Sequence, residues 1–467
     1  MKMWSGRFRQ PLDPAFERWQ RSFEFDRRLL AHELAASSAH ARALKSAGIL
    51  DSNELIAILQ GLERIGEQAT SSPAFLEDDE AEDVHHFVEK QLVSLIGDVG
   101  YKLHSGRSRN EQVATDSRLY VRAAIDQVRA DLATLGSVLL DRAQQAGNAA
   151  MPAYTHLQRA EPVLVSHWLL AYVEMFLRDA DRLADCRKRL NVCPLGSGAV
   201  AGATLPLDRR AMATELDFDQ PTANSIDATC DRDFVLEFVN ALSLLALHLS
   251  RWAEEMILFS SQEYGFVRLP EAYSTGSSAM PQKKNPDLLE LTRGKSARLI
   301  GNATTLQVCM KGLPLAYNKD LQETQEPLFD ATETVLSLLP LVTGWMKAVE
   351  LNYEAMQQAA QSGFMNAWAA ATYLVQRGVP FRLAHEQTGK AVQLCLQKHC
   401  ELHDLSLEEL HSVNSKFDHD FYACLNLESV LAIHDVAGGT APARVRQAMA
   451  DARQRIESIR EDVHAHA

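Results

Sequence analysis

Apolar residues recur at roughly helical spacing along most of this chain. The clearest case lies between Pro221 and Gly265, a stretch with no glycine or proline, where Phe234, Phe238, Leu242, Leu245, Leu249, Trp252 and Met256 mark one broad apolar face. A helix this long and this apolar must be covered, either inside a bundle or in an oligomer core. A second long helix is predicted to start after Glu161-Pro162, because proline suits a first helical turn. It runs through His167, Trp168, Tyr172 and Phe176 to about Leu190. A third is predicted from Asn285-Pro286-Asp287 to about Lys311, with Gly294 and Gly301 allowing close helix contact. A fourth covers Gln112 to about Ala146. No convincing strand alternation, low-complexity tract or short repeat interrupts the pattern. The expected fold is all-α, in three mostly helical domains. Residues 1–110 carry shorter helices, 111–360 a central long-helix bundle, and 361–467 a C-terminal helical domain.

Local punctuation refines this outline. The acidic run Glu77 to Asp83 precedes Val84-His85-His86-Phe87, which places carboxylates at a helix N-terminus, where the helix dipole favours them. Adjacent histidines leave a helix on different sides, so His85 and His86 are not read as a metal pair. Arg377-Gly378-Val379-Pro380 ends one helix and begins another. Ala437-Gly438-Gly439-Thr440 is a second break, with Thr440 as the expected N-cap.

Composition narrows the function. Hydrophobic residues make up 46% and charged residues 23% of the 467, an ordinary globular balance. The formal net charge of −14 argues against nucleic-acid binding, which needs a basic face. It also means that an anion site must be locally basic, and Lys283, Lys284, Arg107 and Arg109 are the obvious reversals of sign. The Phe234–Leu249 stretch is interrupted by Glu237, Asn240 and His248 and reads as a core helix, not a membrane span. Residues 1–10 lack the apolar segment of a secretory signal. The seven cysteines form no close pair and fit reduced thiols. Together these features point to a cytoplasmic protein.

Four polar clusters carry the candidate chemistry: Ser22 to Asp26, His104 to Asn110, Tyr154 to Gln158, and the loop from Gly276 to Asp287 with Tyr317 to Gln322 beyond its helix. Each alone could be a helix cap or a hydrogen-bonded turn. Together they offer hydroxyls, an imidazole, guanidinium, ammonium and amide groups, the inventory for binding carboxylates and moving a proton. No phosphate-binding glycine loop, dinucleotide fingerprint or zinc-protease motif is present, so the expected chemistry uses no cofactor and no metal.

The loop Gly276-Ser277-Ser278-Ala279-Met280-Pro281-Gln282-Lys283-Lys284-Asn285 resembles the signature loop of the fumarase/aspartase superfamily. Its Gln-Lys-Lys-Asn form is similar to that of the argininosuccinate lyases. Met3 to Phe8, Phe25 to Leu30, Leu103 to Asp116, Tyr154 to Trp168, Pro194 to Gly198, Asp231 to Phe234 and Leu313 to Gln322 extend the likeness over nearly the whole chain. The resemblance implies a homotetramer whose active sites each collect residues from three subunits. The implied reaction is the reversible anti-elimination of a small-molecule substrate, argininosuccinate, to arginine and fumarate.

By that pattern Ser277 is the proposed base, and Lys283 and Asn285 hold the charged aci-carboxylate. His156, paired with Glu290, serves the leaving-group side, although His156 as the base stays open. Thr155, Arg109 and Asn110 contact substrate carboxylate and backbone groups. Ser22, Asp26, Tyr317 and Gln322 contact the arginine portion. Two departures stand out: Glu161 replaces a usual glutamine, and Thr324-Gln325 replace a usual Asp-Lys. The lost lysine charge is expected to weaken KM without abolishing activity. The alternatives are a sister lyase for another N-substituted aspartate and a non-enzymatic lens-type relative, the latter disfavoured because Ser277, His156 and Lys283 are all present.

Overall fold

The computed structural model describes residues 10–465, so the Met3 to Phe8 motif lies outside the described residues. Helices dominate. In chain order the ones used below are α1 (Leu30–Ser46), α2 (Val84–Ile96), α3 (Arg109–Ala146), α4 (Val165–Leu190), α5 (Asp233–Ser260), α6 (Asp287–Met310), α7 (Gln325–Ala348) and α8 (Pro442–Ala465). At 38 residues, α3 is about 57 Å long at a rise of 1.5 Å per residue.

The described residues form two compact units. Among the described residues, unit 1 comprises 10–127, Arg182–Ser243 and Arg298–Thr334, and unit 2 comprises Val128–Asp181, Leu244–Ala297 and 335–465. The boundaries fall inside the long helices, so each of α3 to α7 contributes a segment to both units.

The same side-chain logic ties these segments together in each unit. In unit 1, Arg187 of α4 pairs with Asp126 of α3 at 2.8 Å, and Arg189 reaches Glu237 of α5. Gln307 of α6 donates to Asn240 of α5 at 3.3 Å, and Asn302 donates to Asp330 of α7 at 2.7 Å. In unit 2, His248 of α5 meets Asp179 of α4 at 2.6 Å, and Trp168 donates its indole N–H to Glu255 at 2.7 Å. Trp252 of α5 packs edge-on against Trp345 of α7 with centroids 5.2 Å apart, and both are fully buried. Apolar spacing thus makes the helices, while ion pairs and aromatic contacts set which helices lie side by side.

α5 is long and apolar enough by length and composition to cross a membrane. Its Phe234, Phe238, Val239, Leu242, Leu245, Leu249 and Trp252 are nonetheless buried against protein, which makes it the core helix the pattern predicts. The predicted α6 and α4 end within a residue of expectation, and α3 starts three residues earlier than expected.

Three expectations need correction. Residues 158–164 are not the start of a helix. They form strand β2 (Gln158–Leu164), which pairs antiparallel with β1 (Ala150–Thr155), and α4 begins only at Val165. Pro162 lies opposite Pro152, where the ribbon tolerates residues without an N–H, and an irregularity follows between Pro152 and Tyr154. Thr440 does not cap a helix: its hydroxyl accepts from the backbone N–H of Leu164 at 2.8 Å, and α8 starts at Pro442. Gly294 and Gly301 meet no neighbouring element among the described residues, since beyond their own helix no atom lies within 4 Å of where a Cβ would sit. The acidic run behaves as predicted, with Asp83 capping α2 by accepting from His86 N–H at 2.8 Å.

Candidate active site

The predicted site residues divide between the units. Ser22, Asp26, Arg109, Asn110, Tyr317 and Gln322 lie in unit 1. Thr155, His156, Ser277, Lys283, Asn285 and Glu290 lie in unit 2.

In unit 1 the chain folds back on itself to gather carboxylates. Ser22 donates its hydroxyl to Asp26 at 2.6 Å, and Asp26 also accepts from the N–H of Val84, the first residue of α2, at 3.0 Å. Asp83, one residue earlier, pairs with Arg109 at 2.7 Å at the start of α3. Arg109 is reached through a turn at Gly106, whose positive φ of 68° places its Cα against Leu205; a Cβ there would come within 2.8 Å of that side chain. Burial, and then the charge of Asp83, pushes the Asp26 carboxyl up to about 7, against the bonds from Ser22 and Val84. Gln322 donates to the carbonyl of Gln20 at 3.2 Å, which brings the segment after α6 to the same place. Asn110 instead donates to the carbonyl of Ala199 at 3.4 Å. Burial raises the Tyr317 phenol, and the nearby Arg232 and Arg109 charges oppose that rise.

Arg232 was visible in the sequence only as part of the Asp231 to Phe234 motif. It is 1% exposed, donates one bond to the Asp231 carbonyl at 2.7 Å, and has a second terminal nitrogen with no partner among the described residues. Asp83 was legible as a helix cap but not as a site residue. Gln325, the departure from the usual lysine, is buried at the first turn of α7, and its amide oxygen lacks a partner among the described residues.

In unit 2, His156 and Leu157 form the tip of the β1–β2 hairpin, with φ of 55° and 57°. Both central positions therefore adopt the left-handed region, which favours Asn and Gly and strains bulky residues. Leu157 is 65% exposed, and Thr155 and His156 are exposed as well.

The Ser277 loop is pinned at its base. Thr275 pairs with Asn285 and Gly276 with Lys284, while Asp287 accepts from both the N–H and the hydroxyl of Thr275. At its tip, Ser277 Oγ accepts from two backbone N–H groups, Ala279 at 3.2 Å and Met280 at 3.1 Å. Lys284 is engaged with Glu271 at 2.9 Å, whereas Lys283 is exposed and its ammonium makes no hydrogen bond or ion pair among the described residues. The expected His156–Glu290 contact is not formed within the chain: Glu290 lies 3.8 Å from Arg293, and no described residue bonds the His156 ring. Glu161, the other departure, faces His434 at 3.4 Å.

The mostly helical fold is of the fumarase/aspartase lyase type, with a buried carboxylate cluster in unit 1 and a donor-rich serine–lysine loop in unit 2. A lyase family model matches residues 6–301, and a model of the argininosuccinate lyase C-terminal region matches 364–432. The chain is 58% identical to the argininosuccinate lyase of Koribacter versatilis over all of both chains. It is 60% identical to that of Acidobacterium capsulatum over 97% of this chain and 94% of the relative. The chain belongs to the argininosuccinate lyase family, and is a carbon–nitrogen lyase. Among solved structures, EDDS lyase in complex with formate superposes with a TM-score of 0.85 at 25% identity, covering 98% of this chain and 92% of the other. The class II fumarase from Schistosoma mansoni shares the fold, with a TM-score of 0.70 at 18% identity over 83% of this chain and 87% of the other.

Proposed function

We propose that this chain splits argininosuccinate into arginine and fumarate at a site built between copies of itself, with Ser277 as the base. The observation that carries the role of Ser277 is the pair of N–H groups aimed at its Oγ. Hydrogen bonds to a charged form favour that form, so these donors stabilise the alkoxide that a hydroxyl must become to take a proton. Lys283, left unengaged while Lys284 is tied down, adds positive charge beside it. Lys283 and Asn285 then hold the aci-carboxylate formed as the proton leaves, and Thr155, Arg109 and Asn110 hold the remaining carboxylate and backbone groups. His156, on its strained hairpin tip, meets Glu290 of another copy and protonates the departing guanidino nitrogen. Ser22, Asp26, Tyr317 and Gln322 receive the arginine portion.

Self-association as a homotetramer is supported by apolar side chains left uncovered on the long helices. Leu244 and Leu247 on α5, Leu291, Ile300 and Val308 on α6 and Leu341 on α7 are all exposed, as are the open positions at Gly294 and Gly301. The three-part organisation at 1–110, 111–360 and 361–467 and a cytoplasmic location belong to the same reading. The likeness to EDDS lyase keeps another N-substituted aspartate as the competing substrate class. Identity of 58–60% to argininosuccinate lyases, against 25%, favours the first. Fumarate and arginine released from argininosuccinate by the purified protein support the reading; no release, with activity on another N-substituted aspartate, moves it to the sister class.

The Asp26 placement gives a pH dependence. A carboxyl raised to about 7 in the fold is mostly neutral at pH 6 and mostly ionised at pH 8. Since the ordinary carboxyl value lies near 4, ionising Asp26 costs the fold stability as pH rises between the two values, and a bound cation offsets that cost. KM for argininosuccinate is expected to fall about tenfold from pH 6 to pH 8. In Asp26→Asn this slope should vanish and KM should stay high. A slope that survives the substitution would place the titrating group elsewhere.

A further inference from the structure

Beside the Asp26–Asp83 pair, unit 1 buries a second polar group that the roles above do not use. Glu33 of α1, His85 of α2 and Asp116 of α3 meet with exposures of 1%, 4% and 0%. Glu33 is saturated with donors. Its Oε2 accepts from His85 Nδ1 at 2.9 Å, and its Oε1 accepts from Ser37 at 2.6 Å and Gln112 at 3.0 Å, with the Arg107 guanidinium 3.8 Å away. Asp116 lies 3.6 Å from the same His85 nitrogen, and neither of its oxygens finds a donor among the described residues.

Three ligand-type side chains this close could in principle hold a metal ion. The partners argue otherwise. Arg107 and the bound His85 N–H already supply positive charge and donors to Glu33, so a cation would displace contacts that exist. A single proton on Asp116, turned toward Glu33, satisfies the pair at lower cost, as for any two carboxylates in one site. Burial and then the Glu33 charge favour that proton on Asp116. Burial alone would also raise Glu33, but the His85 and Arg107 charges outweigh it and hold its carboxyl well below the usual range.

The consequence lies one residue away. An ionised Glu33 requires Nδ1 of His85 to carry a hydrogen, which fixes the orientation of the ring. His85 sits in the first turn of α2, directly after Val84, whose N–H binds Asp26, and Asp83, which binds Arg109. We propose that Glu33 is a positioning residue: through His85 it locks the first turn of α2 so that Asp26 and Asp83 are held for the cationic end of the substrate. This rests on the placement of the arginine portion at Ser22 and Asp26 proposed above.

The test uses the reverse reaction, with fumarate and arginine as separate probes. Wild-type synthesis of argininosuccinate confirms the underlying reading, and its absence sinks that reading alone. Given wild-type activity, Glu33→Gln is expected to raise KM for arginine about tenfold or more, the size of one lost charge-assisted hydrogen bond. KM for fumarate should stay within about twofold, and Glu33→Asp should recover part of the loss. Asp116→Asn, which imitates the protonated acid, should leave KM for arginine within about threefold. If Glu33→Gln does not fold, Gln112→Leu, which removes one donor from Oε1, should still raise the arginine KM selectively. Equal rises in both KM values, or a fall in kcat alone, would overturn the proposal. So would a stoichiometric bound metal in the purified protein whose removal abolishes arginine binding.

Discussion

Replacing Ser277 by alanine is expected to lower kcat by about 10²–10⁴-fold with little change in KM, the usual contribution of a placed base. The substitution removes only Oγ, and with it the acceptor for the N–H groups of Ala279 and Met280. The base of the loop should survive, because it is held by Thr275, Asn285 and Asp287 through contacts that do not involve Ser277. Ala279 and Met280 are both exposed, so water is expected to take over the freed N–H groups and the fold to lose little. Steady-state kinetics on argininosuccinate give the answer. A variant that keeps more than about a tenth of wild-type kcat would move the base to His156. A matching loss in the unfolding midpoint would assign the serine to structure instead.

Truncating Trp252 to alanine is expected to destabilise the protein by about 3–5 kcal/mol, the range for large aromatic side chains removed from a core. Trp252 has no exposed surface and stands edge-on to Trp345, itself fully buried, so the cavity cannot be filled by a small shift of one neighbour. The aromatic contact adds about 0.5–1.5 kcal/mol beyond area burial. Denaturant unfolding at fixed protein concentration measures the effect, with concentration held constant because association would shift the midpoint. Trp252→Phe should recover most of the loss. A variant with an unchanged midpoint would mean that the α5–α7 contact contributes nothing to the measured transition.

The helices were legible because each long one repeats its apolar residues near a period of 3.6, and Asn285-Pro286-Asp287 and Arg377-Gly378-Val379-Pro380 mark sharp boundaries. The β1–β2 ribbon was not. Its turn residues are His156 and Leu157 instead of Asn and Gly, its strands carry opposed prolines, and Glu161-Pro162 imitates a helix start. Thr440 fits an N-cap by composition, but its hydroxyl is drawn to Leu164, a residue 276 positions away, which no local reading could foresee.

Among the candidate site residues, the loop around Ser277 and the groups at Ser22, Asp26 and Arg109 stand out in the sequence as dense polar clusters. The partners that tune them did not. Glu33 and Asp116 look like ordinary surface acids within helical sequence, and only the packing of α1, α2 and α3 shows that they are buried together. Arg232 was likewise hidden, one charged residue in an acidic motif. A sequence shows which chemistry a chain carries, whereas burial decides which charges must share a proton or find a partner.

Mixing two inactive variants tests the composite site most directly. Ser277→Ala removes the proposed base in unit 2, and Asp26→Ala removes the proposed cation-binding carboxylate in unit 1. If each active site takes these two residues from different copies, co-assembled variants should recover roughly a quarter of wild-type fumarate release, since half the copies supply each intact residue. Fumarate release that stays at the level of the single variants, in assemblies shown to contain both chains, would contradict the account and place Ser277 and Asp26 of each site on the same chain.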